Sequence, residues 1–178
     1  ALEIREYLLL LDLTAEIDQF QIPNTGTGRK KTVISQPGLR YAQAEALIEA
    51  MMQDEKFNEL SIVQRKRVAD RVMSTVQGRM MEDLVLLETK MANPKKLVFQ
   101  LQFAVGEFDM VIHDPKSLTC EIYEVKHSKK AVPAQYRHLI NEEKCAACEH
   151  RYGTVAGKYV IYRGESMEDQ GVKYLNVE

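Results

Sequence analysis

The sequence lacks several things, and each absence narrows its reading. No apolar stretch approaches the roughly 20 residues that span a bilayer. The run Tyr7-Leu8-Leu9-Leu10-Leu11 is short, and acids flank it. There is no signal-peptide pattern. The first residue is Ala rather than Met, as expected for a piece cut from a longer protein. No excess of positive charge exists: 24 Lys and Arg stand against 26 Asp and Glu, a net charge of -2. That argues against nucleic-acid binding by bulk charge, though a local basic patch would serve. Three cysteines, Cys120, Cys145 and Cys148, do not make a disulfide framework. An odd count with one close pair suits a reducing compartment, so a cytoplasmic location is expected. The segment Asn24-Thr25-Gly26-Thr27-Gly28-Arg29-Lys30-Lys31 holds Gly, Lys and Thr, but no Gly directly precedes Lys31-Thr32. It is therefore read as a loop or hairpin tip and not as a phosphate-binding loop. There is no internal repeat and no low-complexity segment.

What is present describes a soluble globular chain. Its 178 residues are 45% hydrophobic and 28% charged, enough for one well-buried domain and a small appendage. Residues 1–22 read as a short helix or strand that docks on something. Pro37-Gly38 breaks the chain, a helix is expected over 40–53, and one or two more over 61–91. Met73, Val76, Met80, Leu84, Leu87 and Met91 recur at spacings of three and four, a helical core stripe. Gly78 marks a break or a close contact, and Asn93-Pro94 stops the helix.

Strands are expected over 97–103, 107–113 and 118–126. Turns at Ala104-Val105-Gly106 and Asp114-Pro115-Lys116-Ser117 join them as a meander. Pro133 opens a helix to about residue 151, ended by 153–157, with final strands at 158–162 and 172–177. The fold class is thus α/β, with an α-β-β-β-α-β order from Ser61 onward. A mostly helical extension over 1–60 precedes a domain over 61–178.

The chemistry concentrates in two strands. Gly106-Glu107-Phe108-Asp109-Met110-Val111-Ile112 carries Asp109, and Cys120-Glu121-Ile122-Tyr123-Glu124-Val125-Lys126 carries Glu124 and Lys126. Strand side chains alternate, so Glu124 and Lys126 point the same way. Two carboxylates about 5 Å apart repel by about 3 kcal/mol at an effective dielectric of 20, so a nearby cation offsets them. Asp109 and Glu124 could share a Mg²⁺ or Mn²⁺, which takes hard oxygen ligands and commonly only one or two carboxylates. Such an ion polarises a phosphoryl oxygen and acidifies a bound water. Lys126 would hold that water or stabilise charge on the phosphorane, and its neighbouring acids would keep it protonated. The bland alternative is an exposed Glu-x-Lys on a strand with no catalytic part.

Gly-Glu-Phe-Asp-Met-Val-Ile followed by Ile-Tyr-Glu-Val-Lys-His-Ser resembles the PD-(D/E)xK nuclease superfamily. Within it, the chain is similar to the nuclease-like C-terminal domain of bacterial and archaeal AAA-type ATPases. Gln36-Pro37-Gly38-Leu39-Arg40-Tyr41 and Gly78-Arg79-Met80-Met81-Glu82-Asp83-Leu84 share that likeness, which covers roughly residues 35–163. The resemblance implies a restriction-endonuclease-like core and a missing ATPase portion joined through residues 1–60. It matches Asp109 to the metal-binding Asp, Glu124 to the second acid and Lys126 to the lysine. Phe108 stands where the motif has Pro. Glu82 matches an acid that some members place on the helix before the sheet, as a further metal ligand; its alternative is a solvated helix face, with Asp83 and Glu88 as rivals. Gln135 sits where related nucleases carry a glutamine that orients the phosphate or the lysine, or it is an ordinary polar residue of a first helical turn.

Other groups carry weaker signals. Cys145-Ala146-Ala147-Cys148 with His150 is half a zinc site, with His138 on the face of Cys145, while a full site needs four ligands. Buried structural cysteines are the better reading. Some nucleases of this group hold an iron–sulfur cluster, which needs four cysteines. His127, Lys129, Lys130 and Arg137, beside His138, form the best basic patch for DNA phosphates. Glu107 shares a strand face with Asp109, and Tyr136 is expected to pack on the core. Two functions follow: a Mg²⁺-dependent deoxyribonuclease domain of an AAA-type protein, or an inactive nuclease-fold module that binds nucleic acid or a protein. The apolar N-terminal segment leaves pairing of chains open.

Overall fold

The computed structural model describes residues 2–23 and 28–177. Of the loop or hairpin tip expected over 24–31, residues 24–27 lie outside the described residues, and 29–31 are already strand. The chain runs α1 (Leu2–Leu10), β1 (Thr14–Gln21), β2 (Arg29–Ile34), α2 (Pro37–Gln53), α3 (Glu55–Asn58), α4 (Ile62–Ala92), β3 (Leu97–Gln102), β4 (Glu107–Asp114) and β5 (Thr119–Lys126). After a 3-10 turn at Pro133–Gln135 come α5 (Glu142–Tyr152), β6 (Thr154–Tyr162), β7 (Met167–Asp169) and β8 (Val172–Asn176). The fold is mixed α/β around one sheet of eight strands, ordered β2-β1-β3-β4-β5-β6-β8-β7. Among the described residues, no helix is long and apolar enough to cross a membrane.

The sheet is covered on both faces, which is why β3 to β5 are nearly continuous in apolar residues. One face packs Leu86 of α4 against Ile17, Val33, Val98, Met110, Ile112 and Tyr123. The other packs Leu139, Cys148 and Tyr152 against Phe99, Phe108, Val111 and Ile122. α4 begins in a reciprocal capping box, with Ser61 and Gln64 each accepting from the other's backbone N–H. It ends at Ala92, with Asn93 as its C-cap, before Pro94 as expected.

Several expectations need correction. The segment before residue 60 is mostly helical as expected, in α1, α2 and α3, but it also contributes strands to the sheet. β1 and β2 form an antiparallel hairpin, and β1 joins the main sheet parallel to β3 from Asp18↔Phe99 to Gln21↔Gln102. Two apolar residues, Ile17 and Val33, seat that hairpin in the core. Residues 61–91 form one helix. Gly78 neither breaks it nor allows a close approach, since a Cβ there would meet nothing within 4 Å. The buried face of α4 is Met80, Met81, Asp83 and Leu86, whereas Met91 of the expected stripe is 80% exposed. The helix expected from Pro133 is two pieces. The Gln135 side chain accepts from the Val132 N–H and closes the 3-10 turn, and Asn141 then caps α5 by accepting from the Lys144 N–H. Gly153, at φ +83°, ends α5 where a Cβ would lie 1.8 Å from the Leu118 carbonyl oxygen. β6 starts at once after it, so 154–157 is strand, not terminator.

Candidate active site

A β-bulge builds the site. β3 and β4 pair Phe99 with Val111 and Leu101 with Phe108, so Gln100 faces both Asp109 and Met110. The extra residue places Phe108 and Val111 in one core cluster and Met110 in the other. The ladder between β4 and β5 ends at the Met110–Tyr123 pair. Beyond it, the Asp109 carboxylate replaces a backbone acceptor: Oδ2 accepts from the Val125 N–H at 2.8 Å. The same oxygen accepts from Lys126 Nζ at 2.9 Å, and Lys126 Nζ donates to Glu124 Oε2 at 2.5 Å. The strand alternation that puts Glu124 and Lys126 on one side therefore closes a triangle of two acids and one amine.

The triangle is buried and short of positive charge. Asp109 and Glu124 are 7% and 3% exposed. Glu124 Oε1 is buried with no hydrogen-bond partner among the described residues. Burial, then the charge of Asp109, pushes the Glu124 carboxyl up to about 8. Burial and then Asp109 likewise push Glu82 of α4 up to about 7. Glu107 is raised by the same two causes in the same order. Burial opposes the charge of Lys126, but Asp109 and Glu124 outweigh it and hold the ammonium above its ordinary range.

Glu82 is half-buried over the sheet and lines a polar cavity of about 300 Å³ with Glu107, Gln100, Gln102 and Arg79, into which Asp83, Arg40 and Lys31 also reach. Its rival Asp83 faces cations instead, accepting from Arg40 and, at 3.3 Å, from Lys31. Glu88 is exposed. Gln135 is buried, but its amide is occupied by the loop after β5. Nε2 donates to Ser128 Oγ at 2.6 Å and to the Lys130 carbonyl at 3.0 Å, while Oε1 accepts from Val132. Its place is to shape the loop leaving Lys126, and it touches neither acid.

Of the basic residues, Lys129, Lys130 and Arg137 are exposed. His127 is partly buried with Nε2 3.2 Å from Arg163, and burial followed by that guanidinium lowers its pKa. Tyr136 packs as expected, donating to Asp169 at 2.9 Å. The three cysteines are free and buried. Cys120, which has no partner in the sequence pattern, lies with its Sγ 3.8 Å from that of Cys148. Sequence reasoning missed Lys31, Arg40 and Lys144. Their signal is tertiary, because each meets its partner across at least 39 positions of chain.

Two hard carboxylates, one with an unsatisfied buried oxygen, fit a small divalent cation completed by water. Among the described residues, no three His, Cys, Asp or Glu side chains are grouped to hold a metal ion together. The candidate donors are Asp109 and Glu124, and the charge of Asp109 acts on Glu82. The chain matches no family model, no curated protein and no solved structure.

Proposed function

We propose that this chain is a nuclease-like domain of the PD-(D/E)xK kind, with a restriction-endonuclease-like core, that hydrolyses DNA phosphodiester bonds with Mg²⁺ or Mn²⁺. It would be the C-terminal part of an AAA-type ATP-binding protein, with the ATPase portion of the parent chain as its partner. The observation that carries the reading is the triangle of Asp109, Glu124 and Lys126 with one buried carboxylate oxygen left over. The observed order α4-β3-β4-β5-α5-β6 supports it.

Asp109 and Glu124 would hold the metal, which when bound supplies Lewis-acid polarisation of the phosphoryl oxygen and a more acidic water. Lys126 stays protonated, so it orients the attacking water or offsets charge on the phosphorane, and does not serve as the base. Glu82, displaced to about 7, can take or return a proton near neutrality. Gln135 holds the loop after β5 and thereby fixes Lys126. Lys129, Lys130, Arg137 and His127 are placed around that loop to meet backbone phosphates.

The test is cleavage of circular single-stranded and duplex DNA with Mn²⁺ or Mg²⁺. Lys126→Ala should lower the rate about 100-fold or more. Cleavage that persists in that variant defeats the mechanism. The second reading is an inactive nuclease-fold module that binds nucleic acid or a protein. The feature favouring it is that Lys126 already bridges both acids. Mn²⁺ distinguishes the two: a metal site raises the melting temperature, and Asp109→Ala removes the gain. A module without a metal site shows no such gain.

A further inference from the structure

Near the triangle lies a basin of about 550 Å³, and of its lining the proposed chemistry uses Arg137 alone. Its lining combines apolar Ile22, Phe103 and Val105 with Arg137, His138 and Lys144, and the Lys144 ammonium lies 5.0 Å from the Phe103 ring centroid. Glu143 is the single acid in its lining. Arg137 and Lys144 bring two positive charges here, beside the neutral His138 and Asn141, in a chain whose net charge is -2.

The cationic part of the lining is built, not incidental. Lys144 Nζ donates to the Val105 carbonyl at 2.6 Å and lies 2.8 Å from His138 Nδ1. With the ammonium donating to Nδ1, the proton of a neutral His138 sits on Nε2. Burial, then Lys144 and Arg137, lowers the His138 pKa, so the ring stays neutral and donates from Nε2. Gly106 makes room for this. At φ +77°, it turns β3 into β4, and a Cβ there would lie 2.8 Å from the His138 ring and 3.0 Å from Lys144 Nζ. The basin also adjoins the triangle, since the charges of Lys126 and Asp109 act on His138 and that of Glu124 acts on Lys144.

Apolar side chains beside cations suit a base that carries a phosphate. The volume is that of a small-ligand pocket. A base inside a duplex cannot lay its face against such side chains, whereas an unpaired base can. We propose that this basin holds one unpaired nucleotide of a DNA strand, with its base against Ile22, Phe103 and Val105 and its phosphate on Arg137, His138 and Lys144. The proposal deepens the nuclease reading and rests on it for the nature of the ligand. It makes the substrate a single strand or a frayed end.

The test separates binding from cleavage. A short fluorescein-labelled oligothymidylate and a duplex of equal length are titrated in EDTA and followed by anisotropy. The protein should prefer the single strand. Ala104→Trp fills the basin from its exposed rim without changing charge, and Arg137→Ala removes a cation. Each should cut the single-strand to duplex affinity ratio about tenfold, with melting curves confirming that both variants fold. A wild type with no preference overturns the proposal, as does an Ala104→Trp ratio equal to wild type. Displacement by thymidine 5′-monophosphate without any strand preference makes this a free-nucleotide site and also overturns it. Lys126-dependent cleavage alongside an unaltered ratio leaves the nuclease standing and removes the pocket. Altered ratios with no cleavage at any metal concentration do the reverse.

Discussion

Glu82 and Asp83 are neighbours on α4 and line one cavity, yet they differ in how their charges are paired. Asp83 is 5% exposed and meets two cations, Arg40 and Lys31. At Glu82 and Glu107, burial and the charge of Asp109 outweigh the opposing charges of Lys126 and Lys31, and at Glu124 they outweigh Lys126. The first arrangement is complete: a buried charge with its partners in place holds α2, β2 and α4 together. The second is under-compensated, and Glu82, Glu107 and Glu124 are pushed toward their neutral forms. Burial alone does not distinguish structure from function, because both acids of the triangle are as buried as Asp83. The ratio of acids to cations does. A site short of positive charge is one that can gain a cation.

The comparison can be broken by exchanging the two behaviours. The largest stability effect is expected at the complete pair. Asp83→Ala strands Arg40 beside a partly buried helix face and should cost about 2–3 kcal/mol, measured by denaturant unfolding. The figure is at the low end for a buried pair because Arg40 and Lys31 keep 20% and 37% of their side chains exposed.

The under-compensated site should respond with the opposite sign. Glu124 has a raised folded-state pKa near 8, so the native state binds more protons than the unfolded state between about 4.5 and 8. Its contribution is most favourable below its unfolded value and is lost as pH rises through the folded value. In EDTA the melting temperature should therefore fall between those limits. Glu124→Gln should flatten the fall and gain about 1 kcal/mol at the upper limit. A flat wild-type profile would mean that the acids are already neutralised. Glu82→Gln is the smallest change, a gain of a few tenths of a kcal/mol near neutral pH, read by the same melts.

The meander was legible because its punctuation is local. Gly106 and the Asp114-Pro115 turn fix three strands whose edges the structure reproduces to within one residue. The triangle was legible for the same reason, since strand periodicity places Glu124 beside Lys126. The β1–β2 hairpin was legible only in part: a hairpin tip and a preceding helix or strand were expected, but Glu16, Asp18 and Gln19 dilute the apolar alternation, and Ile17 becomes a core residue only beside Val98 and Leu86. The bulge was not legible: alternation alone puts Asp109 and Val111 on one face, and one extra residue in β4 changes that. The break after Pro133 depends on the Gln135 side chain turning back onto backbone, a choice that apolar spacing does not encode.

The Asp109 carboxylate does duty as a rung of the sheet, since it accepts the Val125 N–H where β4 no longer offers a carbonyl. That amide proton is consequently a spectroscopic gauge placed inside the protein. Its neighbours along β5 answer to strand pairing, whereas its chemical shift and its rate of exchange with deuterium answer to what Asp109 is holding. An ion drawn to that carboxylate competes for the electron density that binds the proton. Occupancy of the site can thus be followed at a single backbone nitrogen, without substrate and without turnover.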